Sequence, residues 1–209
     1  MVVEALAQAD SELAARVVAR AFRDNPLNRA VIGSPAAKRL RSNLHGSRVA
    51  FRAPMTEPLP LRLAARSCEA EAPEAPGELA GLLLGLAPDG YPAPQAPLGA
   101  QLRSLWGQGW RVSNRWGEVF QALFEVHPRE PHWYLDVLAV IPEKQRRGVG
   151  GALLAAFLAR VDADRAASYL ETDREENLAF YAAAGYEVVR EVCVLGTNVW
   201  CMWRDAPGV

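Results

Sequence analysis

The spacing of apolar residues predicts two helices followed by two strands in the N-terminal part of the chain. Apolar side chains recur at helical spacing from Leu13 to Phe22, with Ser11 as the expected N-cap and residues 24–26 as the expected stop. A second helical pattern covers residues 35–53. Residues 59–65 and 79–86 are predicted strands, and the proline-rich residues 88–97 are a predicted exposed loop.

The remaining pattern predicts a helix and then alternating strands and helices. The predicted elements are a helix over residues 98–125 with a break near 107–109, a strand over 133–141, a buried helix over 149–161, a strand over 168–171, a helix over 177–184 that Gly185 ends, and a hairpin of residues 188–195 and 199–203. This order predicts a mixed α/β fold around one sheet.

Composition narrows the functional classes. Half of the residues are apolar and 22% are charged, which is typical of a globular protein and excludes a wholly disordered chain. The net charge of −1 gives no electrostatic case for nucleic acid as a partner. No apolar run reaches the ~18 residues of a membrane span, so we also expect no membrane partner.

The cysteines favour a reducing compartment. Cys68, Cys193 and Cys201 form no C-x-x-C pair, so we expect a cytoplasmic protein with reduced thiols. Cys193 and Cys201 fall nearly opposite each other in the predicted hairpin, which leaves open whether they ever pair. The scattered His and Cys residues predict no metal site. Many Arg residues against two Lys, together with abundant Ala, hint at a bacterial source.

A glycine-rich loop after the predicted strand 133–141 is a candidate anion site. Its residues are Gln145, Arg146, Arg147, Gly148, Val149, Gly150 and Gly151, and a helix follows. Free amides and the helix dipole favour an anion there. A P-loop would need a Lys after a glycine, and a dinucleotide-binding loop would need a third glycine where Leu153 stands. The pattern Q-x-x-G-x-G of acyl-CoA-dependent N-acetyltransferases fits, and a simple helix-opening turn is the alternative.

A second motif about 30 residues further on favours the acyl-CoA interpretation. Residues 177–186 read N-x-x-F-Y-x-x-x-G-Y, and residues 140–150 read V-x-P-x-x-Q-x-x-G-x-G. With both motifs in this order, residues 132–204 closely resemble the GNAT superfamily of N-acetyltransferases. Residues 127–135, 170–172, 199–202 and 21–26 resemble its puromycin N-acetyltransferase group. The resemblance implies a GNAT-like single domain with a central mixed, mostly antiparallel sheet flanked by helices.

The resemblance also implies roles for individual residues. The strand Leu138, Ala139 and Val140 would hold the pantetheine arm of acetyl-CoA and place an amide near the thioester carbonyl, and residues 145–151 would cradle the pyrophosphate. Asn177 would hydrogen-bond the cofactor, and Tyr181 would be the general acid. Many family members place the cofactor-binding Asn seven residues before the Tyr, where this chain has Arg174. Without the resemblance, Tyr181 would be a core aromatic.

The chemistry requires a base as well, because an ammonium substrate must lose a proton before it attacks a thioester. Glu171 at a strand end is the first candidate, although it could equally cap a helix or pair with an Arg. Asp136 is the second candidate, and His132 and His127 are the third. Trp106 and Trp110 are expected in a helix core, with an aromatic acceptor pocket as the alternative.

We therefore expect a cytoplasmic enzyme that transfers an acetyl group from acetyl-CoA to a primary amine of a small molecule. Residues 1–209 would form one domain, with an acceptor-shaping half over 1–130 and an acetyl-CoA-binding core over 131–204. The alternatives are an acyl-CoA-binding sensor without transferase activity and a protein or peptide N-terminal acetyltransferase. The sequence leaves open the acceptor amine, the acyl length and the oligomeric state, with a homodimer among the alternatives.

Overall fold

The computed structural model describes residues 1–33, 35–52, 60–67, 78–88, 90–91 and 107–208. Cys68 and Trp106 lie outside the described residues, as do most of the predicted loop 88–97 and the start of the predicted helix 98–125. Among the described residues, no helix is long and apolar enough to cross a membrane.

One seven-stranded sheet forms the centre of the fold, in the order β1-β2-β3-β4-β5-β7-β6. Its strands are β1 Val2–Ala5, β2 Leu61–Arg66, β3 Leu79–Leu86, β4 His132–Val140, β5 Ala167–Thr172, β6 Glu187–Val194 and β7 Thr197–Arg204. The helices are α1 Ser11–Ala21, α2 Pro26–Ile32, α3 Ala36–Arg52, α4 Trp110–Val126, α5 Val149–Ala163 and α6 Leu178–Ala182. Among the strands of the described residues, only β4 and β5 pair in parallel. The prediction of a mixed, mostly antiparallel sheet flanked by helices is confirmed.

Helices cover both faces of the sheet. On one face, Leu153, Phe157 and Val161 of α5 are fully buried against Leu83 and Leu170. Helices α1 and α3 cover the other face, where Ala14 and Phe51 pack with Leu82 and Ala139. Because β3 is buried on both faces, its residues are almost all apolar rather than alternating.

Two elements at the N-terminal end were not predicted, and one cap is wrong. Strand β1 has four residues and pairs only with β2, so its pattern is too short to recognise. Pro26 does not merely stop α1, because it is the first residue of α2. Ser11 lies inside α1 and its hydroxyl donates to the carbonyl of Gln8 at 2.6 Å, so it is not the N-cap.

The hairpin turn lies earlier than the sequence predicts, and this separates the two cysteines. Leu195 and Gly196 both have positive φ angles, 53° and 72°, which are typical of a two-residue type I′ turn. The turn is therefore centred between these residues rather than on Thr197. Cys193 consequently pairs with Asn198 and Cys201 with Arg190. The prediction that the two cysteines face each other is wrong, and both are free thiols.

The parallel pair β4 and β5 separates after three residues. His132, Trp133 and Tyr134 pair with residues 167–169, and no β4 residue beyond Tyr134 pairs with β5. The β3–β4 register shifts between Leu84 and Gly85, so that Asp136 is an extra residue on β4 without a β3 partner. A bulge of this kind bends its strand. The sheet thereby opens a gap between the second half of β4 and the end of β5.

The end of β5 is attached to the start of α2 by one carboxylate. Asp173 accepts hydrogen bonds from the backbone amide of Leu27 at 2.9 Å and from the Asn25 side chain at 3.1 Å. The amide of Leu27 belongs to the first turn of α2, and an amide in the first turn has no hydrogen-bond acceptor within its own helix. Asp173 thus caps a helix that lies almost 150 positions earlier in the chain and fixes it beside the gap.

We expect Asp173→Ala to lower the free energy of unfolding by about 1–2 kcal/mol, because a helix N-cap of this type is lost. Asp173→Asn should retain most of that stability, since the amide oxygen still accepts from Leu27. The measurement is urea unfolding. Glu175→Ala, which changes an exposed carboxylate two residues away, is the matched control and should change the stability by less than about 0.5 kcal/mol. Equal losses for Ala and Asn would contradict the capping role.

Candidate active site

A cleft of about 770 Å³ occupies the gap between β4 and β5. Its walls come from the end of α1, the second half of β4, the glycine-rich loop and α6. The predicted site residues that line it are Leu138, Val140, Gln145, Arg146, Gly148, Gly150, Gly151, Asn177 and Tyr181. Residues far apart in the sequence are thus brought to one cavity.

The backbone of β4 presents alternate residues to this cleft. The amide of Ile141 donates to Ala80 of β3 at 3.0 Å, and backbone groups of successive strand residues point to opposite edges. Ala139 therefore faces β3 as well, whereas Leu138 and Val140 face the gap. The carbonyl of Val140 accepts from the Gln145 side chain at 3.0 Å. The amides of Leu138 and Val140 are accordingly the β4 donors that point into the cleft.

The glycine-rich loop places the N-terminus of α5 at the cleft. Gly148 precedes the helix with φ +83°, which is the left-handed conformation that glycine adopts readily. The first amide bonded within the helix is that of Ala152, so the amides before it lack a helical partner, and no side chain caps them. A Cβ on Gly151 would meet no atom within 4 Å. These features fit a phosphate group held by backbone amides.

The other residues of the predicted cofactor set have different surroundings. Val149 is buried and packs in the core under the sheet. Arg147 is exposed and does not line the cleft, whereas Arg146 does. Ala139 is buried against α1 and its neighbours. Only part of residues 145–151 therefore presents side chains or bare backbone to the cavity.

Asn177 and Arg174 lie together at one end of the cleft. The Asn177 side chain donates to the Thr172 hydroxyl at 3.4 Å, and Arg174 makes an ion pair with Glu176 at 2.5 Å. Both residues line the cavity, as does Asn25, which the sequence reasoning did not assign to the site. The signal for Asn25 was the segment at residues 21–26, which resembles the puromycin N-acetyltransferase group.

Tyr181 is a buried phenol at the wall of the cleft. Its side chain packs edge-on against Phe180 and Tyr186, and 6% of the residue is exposed. Burial raises the pKa of Tyr181, and the negative charge of Asp173 acts in the same direction. The phenol therefore stays protonated at neutral pH and is available as a proton donor.

A cluster of polar and aromatic side chains lies where β4 and β5 begin to separate. Tyr134 and Tyr169 are the last paired residues of these two strands. Asp136 and Glu171 follow them two positions later, on the face of the sheet that points away from α5. We call these four residues, with Tyr91, His127 and His132, the carboxylate chamber. The side chain of Glu171 is 7% exposed, and its Oε1 atom lies 3.6 Å from Nδ1 of His127. Sequence reasoning proposed Glu171, Asp136 and the two histidines separately, and the structure brings them together.

The chamber carries concentrated negative charge. Asp136 is an exposed residue, yet the protein around it removes part of its hydration; this desolvation, followed by the charge of Glu171, raises its pKa to about 6. Burial likewise raises the pKa of Tyr91 to about 12, so this phenol stays neutral. Two carboxylates walled by aromatic rings make a site that favours a cation.

Two further predictions concern neighbouring groups. Trp110 is not a core residue, because 69% of it is exposed at the first turn of α4, and the core prediction for it is wrong. Gly109 before it has φ +84°, so the predicted break in this helical region is confirmed.

Among the described residues, no group of three or more His, Cys, Asp or Glu side chains is arranged to hold a metal ion.

Similarity to known proteins agrees with this geometry. Residues 112–188 match the family model of the acetyltransferase (GNAT) domain. A Corynebacterium glutamicum protein, histone acetyltransferase HPA2 and related acetyltransferase, shares 24% identity and a TM-score of 0.68, with 99% of this chain and 98% of that chain covered. The resemblance to the puromycin N-acetyltransferase group stays a prediction.

Two further structures share the fold at lower identity. Naa20 from Chaetomium thermophilum, in complex with a bisubstrate analogue, has 16% identity and a TM-score of 0.51, with 99% and 87% coverage. The NatC complex bound to Gag peptide and CoA has 11% identity and a TM-score of 0.52, with 98% and 97% coverage. The family match over residues 112–188, together with the shared fold, supports an acyltransferase.

Proposed function

We propose that the protein transfers an acetyl group from acetyl-CoA to a primary amine of a small molecule. The observation that carries the proposal is the cleft itself. One cavity joins a helix N-terminus with free amides, a strand edge with unpaired amides and a protonated phenol. These are the groups that a pyrophosphate, a pantetheine arm and a leaving thiolate require.

The residues divide the work along the cleft. Arg146 and the amides of Gly150 and Gly151 bind the pyrophosphate, and Leu138 and Val140 hydrogen-bond the pantetheine arm. An amide of β4 stabilises the negative charge that grows on the thioester carbonyl oxygen as the amine attacks. Asn177, which lines the same cavity, contacts the cofactor from the α6 side.

Tyr181 and Glu171 complete the proposed reaction. The Tyr181 phenol donates its proton to the departing thiolate. Glu171 accepts the proton that the ammonium form of the substrate must lose before it can attack. The neutral nitrogen then bonds to the acetyl carbon as the carbon–sulfur bond breaks. The nitrogen passes its remaining excess proton to the Tyr181 phenolate, which restores the phenol and yields an amide and free CoA thiol.

The carboxylate chamber supports a small cationic amine as the acceptor. The side chains of Glu171 and His127 are 7% and 4% exposed, and Tyr91 stacks on the His127 ring with 3.5 Å between centroids. The buried Glu171 carboxylate, with Asp136 beside it, would attract the ammonium group of a small amine. An N-terminal acetyltransferase would instead need an open groove for the residues that follow the acetylated one.

Cofactor binding is the first prediction. Acetyl-CoA or CoA at about 100 times its Kd should raise the melting temperature by about 5–10 °C, since it binds only the folded protein. Gly150→Glu should abolish this shift, because its carboxylate would lie at the anion-binding helix terminus. Differential scanning calorimetry measures both.

Gly117→Glu is the matched control for this experiment. Gly117 is an exposed helical glycine with open space around its Cβ position, and it does not line the cleft. This variant should retain the full shift with the same change in charge. If CoA leaves the melting temperature of the unsubstituted protein unchanged at millimolar concentration, the proposed function is wrong.

The second prediction tests the acid. Tyr181→Phe removes only the phenolic oxygen, so the CoA-induced melting shift should persist. The turnover number should fall by about 10²–10⁴-fold if proton donation limits the rate. Phe180→Leu, at the neighbouring cleft position, changes packing without removing a proton donor and should retain more activity. A loss of less than threefold in Tyr181→Phe would assign proton donation to water or to the substrate.

The third prediction separates the acceptor classes. Release of free CoA thiol should be measured with a panel of small primary amines and, in parallel, with peptides that carry free N-termini. We expect turnover with members of the amine panel and none with the peptides. Turnover with the peptides alone would indicate an N-terminal acetyltransferase. Cofactor binding without thiol release from either panel would indicate an acyl-CoA sensor.

A further inference from the structure

A chain of ring nitrogens connects Glu171 to a backbone carbonyl. Nδ1 of His132 lies 2.6 Å from the carbonyl oxygen of Glu130, Nε2 of His132 lies 3.1 Å from Nε2 of His127, and Nδ1 of His127 lies 3.6 Å from Oε1 of Glu171. The side chains of His127 and Glu171 are almost fully buried. These contacts determine where the protons are.

The backbone carbonyl fixes the tautomer of His132. A carbonyl oxygen only accepts hydrogen bonds, so Nδ1 of His132 must carry a proton. Burial lowers the pKa of His132, so the ring is neutral near pH 7 and its Nε2 is an acceptor. The 3.1 Å contact then requires Nε2 of His127 to carry the proton and to donate it.

With this tautomer, neither atom of the contact between His127 Nδ1 and Glu171 Oε1 carries a proton when Glu171 is ionised. In a neutral His127 ring, Nδ1 then has no proton, and it points at an oxygen that is also an acceptor when Glu171 is ionised. This nitrogen is buried and has no hydrogen-bond partner. One added proton converts the contact into a charge-assisted hydrogen bond, which is stronger and shorter than a neutral one.

The surroundings hold the pair in place, and the Tyr134 phenol also hydrogen-bonds Glu171. The His127 ring is stacked on Tyr91 and meets Tyr134 and Tyr169 edge-on, at 5.0 and 4.8 Å between centroids. The titratable groups that face the pair are these three tyrosines, Asp136, His132 and Cys201. Burial raises the pKa of the tyrosines and the cysteine, so they stay neutral at neutral pH. Asp136 is the one charged neighbour among them.

We propose that Glu171 and His127 together accept the proton that the amine substrate loses, and that His132 is a positioning residue that fixes the tautomer of His127. This inference rests on the proposed function. The ammonium nitrogen gives one proton to the pair and becomes a nucleophile. After the acetyl transfer, the pair returns that proton to water, so the overall reaction releases one proton with each amide and CoA thiol formed.

Two variants of His132 isolate its role. In His132→Gln, the amide group retains a donor for the Glu130 carbonyl and an acceptor for His127, so kcat/KM should stay within a few-fold of its original value. His132→Leu fills the space without either group. It should lower kcat/KM by about tenfold or more and alter the acidic limb of the pH–rate profile, with an unchanged CoA-induced melting shift. Equal pH–rate profiles for the two variants would overturn the positioning role.

A comparison of the two carboxylates tests the accepting pair. Glu171→Gln can donate an N–H to Nδ1 of His127 but accepts no proton, so kcat/KM should fall by about 10²-fold near pH 7. The acidic limb of its pH–rate profile should move to higher pH, where the substrate amine is itself neutral and part of the rate returns. Asp136→Asn should leave the acidic limb where it is. If Asp136→Asn moves the limb and Glu171→Gln does not, Asp136 is the base and the proposal is wrong.

A readout without substrate separates this inference from the proposed function. The chain has three histidines, so ¹⁵N NMR of the free protein can assign each ring. We expect the Nδ1–H tautomer for His132 and the Nε2–H tautomer for neutral His127. An Nε2–H tautomer at His132 would overturn the positioning role of His132 even in an active enzyme. The expected tautomers in a protein that acetylates no amine would refute the proposed function alone.

Discussion

The separation of β4 from β5 is the constraint on which the rest of the site depends. Three paired residues hold the strands together, and the bulge at Asp136 then bends β4 away. Backbone amides that a continuous sheet would consume remain free at Leu138 and Val140. The same opening exposes the N-terminus of α5 and places Asp136 and Glu171 at the point of divergence. Binding groups and candidate acid–base groups therefore arise from one local departure from regular pairing.

Sequence patterns predicted the elements whose side chains meet a uniform environment. Strand β3 is buried on both faces, and the pattern gave its bounds as Leu79–Leu86, as the structure has them. Elements set by contacts distant in the chain were missed. Helix α2 depends on a cap from Asp173, and nothing near Pro26 indicates that partner. The hairpin register depends on the positive φ angle of Leu195. Positive φ is uncommon for leucine, so the sequence did not indicate a turn at this residue, and the predicted alignment of the two cysteines was wrong.

The candidate site was predictable where its chemistry is local. The loop at residues 145–151 and the motif at 177–186 are each contiguous, so their resemblance to GNAT motifs predicted a cofactor cleft. Spacing could not show which residues face that cleft, because the direction of each strand residue depends on its partner strand. Nor could it show that His127, His132 and Glu171 form one chain of contacts. That arrangement requires the end of α4, the start of β4 and the end of β5 to meet.

The carboxylate chamber is a costly arrangement for a protein at neutral pH. The folded state raises the pKa of Asp136 from 3.8 to about 6, so the fold favours its protonated form. The stabilisation from that proton is fully present below about pH 3.8 and is lost as the pH rises through about 6. At pH 7 the chamber therefore holds an ionised Asp136 beside Glu171 and an unpartnered His127 nitrogen. In the proposed reaction, an ammonium group would offset part of this charge and supply the missing proton, so that proton transfer to the chamber would also produce the nucleophile.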